Sequence, residues 1–493
     1  MARRERYLVG LDVGTSKVTA VVGEMLDHDE LEVVGVGVAD SRGIRRGVVV
    51  NVDAAIDSIK KAIEEAELMA AVEIDSVHLA LSGPQIKGFN SRGVVAVAGK
   101  SREIARDDVR RAIEAAKAVA LPAGREILHV LPQDFVVDEQ DGITAPVGMT
   151  GARLEVNVHI VTGSQSSTQN IVACVNRAGV TVAETVVEQL AASESVLTED
   201  EKELGVALVD IGGGTTDIAI YERGSLWHTA VVGVGGDHFT NDIAVGLRTP
   251  VPDAEKVKRK CGCALSAMVD EDETMEVASV GGRKPRVMAR RILSEILQPR
   301  AEEIFHLVWD EIRRAGYERG LNSGIVLTGG GAILEGMPEI AEQIFDLPIR
   351  RACPTGIGGL SDHVNSPSFA TGVGLVLYGQ RNAVTDPGRA PVGAGALVRV
   401  FDEYGTERGR VVSGSDGTFS LVGAWDPSVP WTIVVAPDPA NGSDYLGTGA
   451  DRVRFGSTSR SVPLTAPSTT EVGDVALPRV ASASASPSVS PGG

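Results

Sequence analysis

An aspartate stands two residues before a glycine-rich turn at two places in this chain. The first stretch is GLDVGTSK from Gly10, with Asp12 ahead of Gly14, Thr15, Ser16 and Lys17. The second is DIGGGTTD from Asp210, with Gly212, Gly213, Gly214, Thr215 and Thr216. Backbone N–H groups can hold a phosphate when no side chain blocks the approach, and glycine both clears the way and permits φ > 0. The Thr and Ser hydroxyls add donors, and Lys17 adds charge. A carboxylate cannot touch the phosphate without repulsion, but it can orient the waters that a phosphate-bound Mg2+ retains. Asp12 and Asp210 suit that part. A third glycine run, Gly329, Gly330 and Gly331, follows Thr328. Its flat backbone can pass beneath a base or ribose and offer a helix N-terminus to phosphate. One such turn alone reads as a plain hairpin. Two in duplicated settings, with a third after a strand, read together as a phosphate clamp. The chain contains no GxxxxGKS or GxxxxGKT, which excludes a P-loop, and no GxGxxG after a strand, which argues against a Rossmann cofactor site.

The elements that must position these residues can be read from hydrophobic periodicity. YLVGLDV and KVTAVVGE read as strands flanking the first turn, and LEVVGVGVAD adds a third. Asn51 reads as the N-cap of a helix with Val52, Ile56, Ile59 and Ile63 at helical spacing. Val77 to Gly83 returns to strand. The second half restarts the same order, with GVALVDIGGGTTDIAIYERGSLWHTAVVGVGG as strand, glycine turn, strand, turn, strand. Each half therefore opens on a β-meander whose first turn carries Asp and Gly, the mark of an internal duplication. Residues from about 85 to 163 form a separate α+β patch. It holds the strand VVAVAG, a helix over 107–119 and the strands FVVD and LEVNVHIV, with a helix following near 167–178. A long helical stretch is predicted from Val287 to Arg314, started or kinked by Pro299. SGIVLTGGGAIL then reads as strand, loop and helix, and PSFATGVGLVLYG as a closing apolar helix.

Beyond about Gln380 neither lysine nor cysteine occurs, and Thr385–Gly395 reads as a Pro/Gly linker. ALVRVFDEYG, GRVVSGSDGTFSLVG and PWTIVVAPD alternate apolar with polar residues, with a hairpin turn at Ser415-Asp416-Gly417. They predict a small all-β module. Its VRVFDEYG…DGTFSL pattern is similar to prealbumin-like β-sandwiches of the carboxypeptidase-regulatory type. The end, ASASASPSVSPGG, is low-complexity and is expected to be disordered.

Bulk properties set outer limits. With 493 residues, several domains are expected at roughly 100–200 residues each. The net charge of −19 argues against wholesale nucleic-acid binding, which needs a basic face to displace counterions. Cys174, Cys261, Cys263 and Cys353 fit neither a CxxC metal site nor a disulfide framework, and read as reduced thiols of a cytosolic protein. The N-terminus MARRERYLVGLDVG does not read as a signal peptide, and nowhere do 18 successive apolar residues occur to span a membrane.

The three glycine loops resemble the two phosphate loops and the adenosine loop of the actin, sugar kinase and heat-shock chaperone superfamily. More narrowly, residues 7–380 resemble the bacterial FtsA cell-division family. The stretches GLDVGTSKVTAVVGE, EQLAASESVLTEDEKELGVALVDIGGGTTDIAIY, HTAVVGVGGDHFTNDIA, AEKVKRKCGCAL, VGGRKPR, SGIVLTGGGAILEGM and GLSDHVNSPSFATGVGLVLYG carry the likeness. The insertion at 85–163 falls where that family carries its own subdomain, which favours it over MreB or the chaperones. The resemblance implies an α/β, two-lobed actin-like ATPase fold of duplicated βββαβα units. Lobe 1 would span 1–84, completed by about 164–195 and 355–380, and lobe 2 would span 196–354. An inserted α+β subdomain at 85–163, a linker at 381–395, a β-sandwich-like module at 396–478 and a tail at 479–493 complete the expected plan.

The resemblance further implies ATP and Mg2+ as ligands. Gly14, Thr15, Ser16 and Lys17 match the first phosphate loop, Gly212 to Thr216 the second, and Gly329 to Gly331 the adenosine loop. Asp12 and Asp210 match the aspartates that meet Mg2+ through water. Gly235, Gly236 and Asp237 resemble a turn beside the nucleotide, and Glu255 and Lys258 match ribose and adenine contacts. At i, i+3 those two equally suit a solvated ion pair. Glu188 stands where relatives place a carboxylate that could polarise an attacking water, or is a surface residue at a helix end. Arg283, Arg286, Arg290 and Arg291 form a basic run where the family binds the partly acidic FtsZ tail, or a solvated helix start.

The implied function is an assembly protein of the divisome that dimerises or forms filaments. It would hold FtsZ at the cytoplasmic face of the membrane at the septum and recruit later divisome proteins, some through 85–163, with slow or absent ATP hydrolysis. The alternative is a chaperone-type or sugar-kinase-type ATPase on the same fold. The family's amphipathic membrane-anchoring helix does not read from the sequence after Gly379, so no liposome binding is expected of the chain as written.

Overall fold

Two β-meanders of the same design organise the molecule. The computed structural model describes residues 7–385 apart from 27–29, 99–101 and 282, and beyond them strand segments at 396–401, 407–412, 432–437 and 451–454. Met1–Thr385 and Asp386–Gly493 form separate units.

In the first lobe Tyr7–Val13, Lys17–Met25 and Leu31–Asp40 run antiparallel in sequence order. Ser76–Leu81 joins parallel to Tyr7–Val13, and Thr181–Val187 joins parallel to it in turn. The second lobe repeats this. Val206–Ile211, Thr216–Glu222 and Ser225–Val232 form the meander, Ile325–Thr328 runs parallel to Val206–Ile211, and Ile349–Arg351 closes that side. The two sheets share one five-strand order, to which the first adds Gly358–Gly359 beside Leu31–Asp40, and this is the duplication that the sequence predicts. Helix Val52–Ala70 covers the first sheet, with Ile56, Ile59 and Ile63 buried, and the Asn51 side chain accepts from the Ala54 N–H at 3.1 Å as its cap. Helix Arg290–Ala315 covers the second, burying Leu293, Leu297, Ile304, Phe305 and Ile312.

Residues of the insertion build their own sheet in the order Lys87–Ala96, Arg153–Ser164, Arg125–Val137, Gln140–Ile143. Helix Arg106–Lys117 packs Ala112 and Ala116 onto Leu154, Val156 and Ile160. The predicted helix over 107–119 is thus shorter by two residues at its end. The insertion hangs from the first lobe yet rests on the second. Gln133 Nε2 donates to the Leu226 carbonyl at 3.1 Å, and the Ser225 hydroxyl donates to the Gln133 carbonyl at 2.9 Å. His159 lies between Asn90 Oδ1 at 2.6 Å and the Thr229 hydroxyl at 2.9 Å. Asn90 Oδ1 also accepts from Gln133 Nε2. The proton of His159 therefore sits on Nδ1, and Nε2 accepts from Thr229.

Two expectations change. The long helix does not begin at Val287: Arg286–Ala289 is a strand paired with Thr274–Val277, and the helix starts at Arg290. Four apolar-leaning residues are too few for periodicity to separate strand from helix. Pro299 does not start the helix but lies inside it. Helix Ala370–Thr385 closes the first unit against helix Glu188–Val196.

The second unit shows an antiparallel sheet in the order Glu407–Val412, Ala396–Phe401, Thr432–Pro437, Asp451–Arg454. The predicted linker after 385, the turn at Ser415–Gly417 and the terminal tail lie outside the described residues. Among the described residues no helix is long and apolar enough to cross a membrane.

Candidate functional site

The glycine turns close in the same way. Gly14 N–H donates to the Lys17 carbonyl at 3.0 Å, and Gly212 N–H to the Thr215 carbonyl at 2.9 Å. The turns come from opposite lobes and abut, Gly213 against Ser16 and Gly214 against Thr15. Between the lobes lies a cavity of about 560 Å3, within the usual range for a small-molecule site.

The first lobe lines it with Asp12, Gly14, Thr15, Ser16 and Lys17, and the second with Asp210, Gly212, Gly213 and Thr215. Gly329, Gly330 and Gly331 also line it, with Ile333 and Leu334, and Gly329 lies directly against the Asp210 side chain. The residues after Gly329 form a 3-10 turn rather than the start of a helix. Gly236, Glu255 and Lys258 line the same cavity. Four sequence candidates stand outside the lining. Gly214 packs on Thr15, and the Thr216 hydroxyl is spent on the Val234 carbonyl at 2.8 Å. Gly235 sits beneath the second turn, where a Cβ would overlap the Gly212 and Thr215 carbonyl oxygens. Only glycine permits that approach, and it lets Gly236 and Asp237 donate their N–H groups to the Gly212 and Gly213 carbonyls, each at 2.8 Å. The Asp237 carboxylate accepts from the Ser16 hydroxyl at 3.3 Å, bridging the lobes.

Glu255 and Lys258 are no mere surface pair. The Lys258 ammonium, 14% exposed, meets the Glu255 carboxylate at 2.6 Å, the Thr240 hydroxyl at 2.8 Å and the Gly236 carbonyl at 2.9 Å. It ties the helix Val251–Cys261 to the first turns of helix Gly236–Gly246, which in turn bonds the second glycine turn.

Three carboxylates, Asp12, Glu188 and Asp210, line the cavity beside the two turns, and a fourth, Asp217, is buried opposite Asp210. Burial raises Asp12 to about 6 against the pull of Lys17. It raises Asp210 to about 8, helped by Asp217 and Asp12. Asp217 rises to about 7 by burial despite hydrogen bonds from Thr215 and Ser82. Glu188 goes well above the usual carboxylate range, through burial and then the neighbouring Asp217, Asp210 and Asp12. Lys17 falls to about 8 because burial outweighs the attraction of Asp12 and Asp210. Its ammonium lies 3.9 Å from the centre of the Phe369 ring. One lysine cannot balance four acids, so the donor set suits a divalent cation. Among the described residues no three His, Cys, Asp or Glu side chains are grouped to ligate a metal directly. A cation that keeps its waters fits this arrangement.

Glu188 is therefore not a surface residue. Val187 pairs with Leu81 across neighbouring parallel strands, so the next residues, Glu188 and Ser82, emerge side by side into the cavity. Sequence reasoning missed Ser82, Asp217, Gln189 and Thr371. Gln189 Nε2 donates to Asp217 at 2.8 Å, the Ser82 hydroxyl donates to Asp217 at 3.2 Å, and Thr371 donates to Asp210 at 3.4 Å. Asp217 ends the DIGGGTTD stretch, and its register opposite Asp210 was the available signal.

The basic run divides. Arg283 and Arg286 are exposed at the hairpin. Arg290 turns inward to Glu273, Glu335 and the Cys261 carbonyl, and Arg291 pairs with Glu271 and Glu295. Arg290 is thus not available to an outside partner as the sequence run suggests.

A family model described as "Cell division protein FtsA" matches residues 207–374, and another, "SHS2 domain inserted in FTSA", matches 83–162. The Cell division protein FtsA of Pseudomonas aeruginosa is 50% identical over 374 residues, covering 76% of this chain and 89% of that protein. The chain belongs to the FtsA family. The Escherichia coli K12 FtsA is 42% identical over 388 residues, covering 77% of this chain and 92% of that protein. Among solved structures, the PilM-PilN type IV pilus biogenesis complex matches with a TM-score of 0.55 at 16% identity, over 76% of this chain and 98% of that one. That likeness is one of fold. The architecture is the actin-like two-lobed one, and the insertion is the SHS2 subdomain of FtsA.

Proposed function

We propose that this FtsA-family chain binds Mg·ATP between its lobes and that the nucleotide governs self-association into dimers or filaments. The assembly holds FtsZ at the cytoplasmic face of the cell membrane at the septum and recruits later divisome proteins, some of them through residues 85–163. The observation that carries the nucleotide reading is the meeting of two equivalent glycine turns, one per lobe, around a cavity rich in carboxylates. In this reading Gly14–Lys17 and Gly212–Thr215 hold the phosphates. Asp12 and Asp210 hold the waters of Mg2+, Glu255 and Lys258 meet the ribose and base, and Gly329–Gly331 lie beneath the base. The Mg2+ supplies charge neutralisation for the phosphates. Arg283 and Arg286 offer an exposed basic hairpin to the partly acidic FtsZ tail.

Glu188, facing the cavity, is the observation that favours hydrolysis, as in a chaperone-type or sugar-kinase-type ATPase. Two measurements separate the readings. ATP-dependent polymers by electron microscopy with little phosphate release support an assembly ligand. Steady-state turnover above about one per second supports a catalyst. Substituting Asp210→Ala is expected to abolish Mg·ATP binding in calorimetry, and unchanged affinity sinks the site assignment.

A further inference from the structure

Arg290 belongs to none of the three glycine loops, yet it touches both the cavity and the hairpin. It is the first residue of helix Arg290–Ala315, and its side chain is 17% exposed. Its Nε donates to the Cys261 carbonyl at 2.8 Å, at the end of the helix that carries Glu255 and Lys258. One terminal nitrogen pairs with Glu335, which follows the third glycine loop and lines the cavity. The other pairs with Glu273 at 2.7 Å, and the Arg290 backbone N–H donates to the Glu273 carbonyl at 2.8 Å.

Glu273 and Arg290 are the residues immediately before and after the hairpin, whose first cross-strand pair is Thr274 with Ala289. The hairpin is therefore closed at its base by a side chain whose two other bonds run to the Cys261 carbonyl and to Glu335, which lines the cavity. A planar guanidinium with five donors can make three such bonds at once, whereas an ammonium cannot reproduce that fork. Elsewhere in the hairpin Met275 and Val277 are buried in the second lobe's core and the Arg286 guanidinium donates to the Leu247 carbonyl, whereas Val280 is 57% and Val287 74% exposed beside Arg283 and Lys284.

We propose that Arg290 couples occupancy of the base end of the cavity to the ordering of the hairpin 274–289. This rests on the reading of the cavity as a nucleotide site. A base lying against Gly331, Ile333 and Leu334 contacts the loop that ends in Glu335. It orders the hairpin to the extent that it binds the Arg290-bridged arrangement better than the unbridged one. An acidic peptide held at the hairpin then tunes nucleotide affinity by the same factor, since linkage is reciprocal.

Hydrogen exchange of the hairpin amides tests this, with calorimetry on the same samples. In the wild-type chain Mg·ATP is expected to slow their exchange about 5-fold or more. Mg2+ with inorganic tripolyphosphate, which has no base, is expected to leave them unchanged. Glu273→Gln, outside the cavity, keeps Mg·ATP affinity near wild type but loses the hairpin response, and Arg290→Lys also loses it. Wild-type chain that binds Mg·ATP with no change in hairpin exchange overturns the coupling, and so does a response retained in Glu273→Gln. Absence of Mg·ATP binding to the wild type overturns the nucleotide reading itself, and calorimetry tells the two failures apart.

Discussion

Asp12, Glu188 and Asp210 line the cavity with Lys17, and Asp217 lies buried behind them opposite Asp210. Three of them titrate between about 6 and 8, raised chiefly by burial. An acid whose folded pKa is raised gives stability that is fully present below the unfolded value, about 4, and lost as pH rises through the folded one. The ligand-free chain is accordingly expected to lose stability from pH 4 toward about 8 on account of this cluster. A cation that needs the carboxylates ionised displaces their protons. Mg·ATP binding should therefore release protons and tighten as pH rises, and its gain in Tm should be larger at pH 8 than at pH 6. Calorimetry in buffers of different ionisation enthalpy measures the proton count; proton uptake contradicts this account. Much of the cluster was legible in sequence, because Asp12 and Asp210 stand in fixed register with glycine turns. Asp217 was not, because its donors Ser82 and Gln189 reach it from other elements. The role of Glu188 needed the parallel pairing of Thr181–Val187 with Ser76–Leu81, which no local pattern reveals.

Two helices bring their first turns to the cavity. Glu188 opens helix Glu188–Val196, and Thr371 lies in the first turn of helix Ala370–Thr385. They cross where Gly374 meets the Ala191 carbonyl, too closely for any Cβ. The crossing sets the separation of Glu188 from the Thr371–Asp210 pair. Gly374→Val is expected to cost about 1–3 kcal/mol through overpacking and to weaken Mg·ATP binding as well. A variant with lowered Tm but intact affinity dissociates the crossing from the site. Element types were mostly readable from periodicity, including every strand of both meanders. The hairpin strand at 286–289 was not, because its pairing with Thr274–Val277 is what makes it a strand. The inward turn of Arg290 escaped for a related reason. A run of arginines in sequence says nothing about which guanidinium meets Glu273 and Glu335.

Across the whole unit of 7–385, the duplication could be inferred from two Asp–Gly turns, and the insertion from its interrupting pattern. That the insertion grows from one lobe and rests on the other could not, since Asn90, Gln133 and His159 look like ordinary strand residues. Their seam is buried and polar: His159 is fully buried, and burial, then the charge of His228, pushes it down to about 3, so it stays neutral. Thr229→Val removes the hydroxyl that donates to His159 Nε2. The stranded nitrogen should cost about 1–3 kcal/mol. Hydrogen exchange is expected to quicken in Lys87–Ala96 and Ser225–Val232 together. Faster exchange in only one of these strands argues against a shared seam.

Ser225–Val232 is also the outermost strand of the second lobe's sheet, whose opposite margin, Ile349–Arg351, is three residues long. An uncovered eight-residue margin would offer unpaired N–H and C=O groups to any passing chain, the usual seed of irreversible aggregation. The seam with the insertion denies that surface to strangers and to copies alike. A protein proposed to gather with its own kind at a septum is thereby steered to meet through side chains. Contacts of that sort can be undone when the cell has finished dividing.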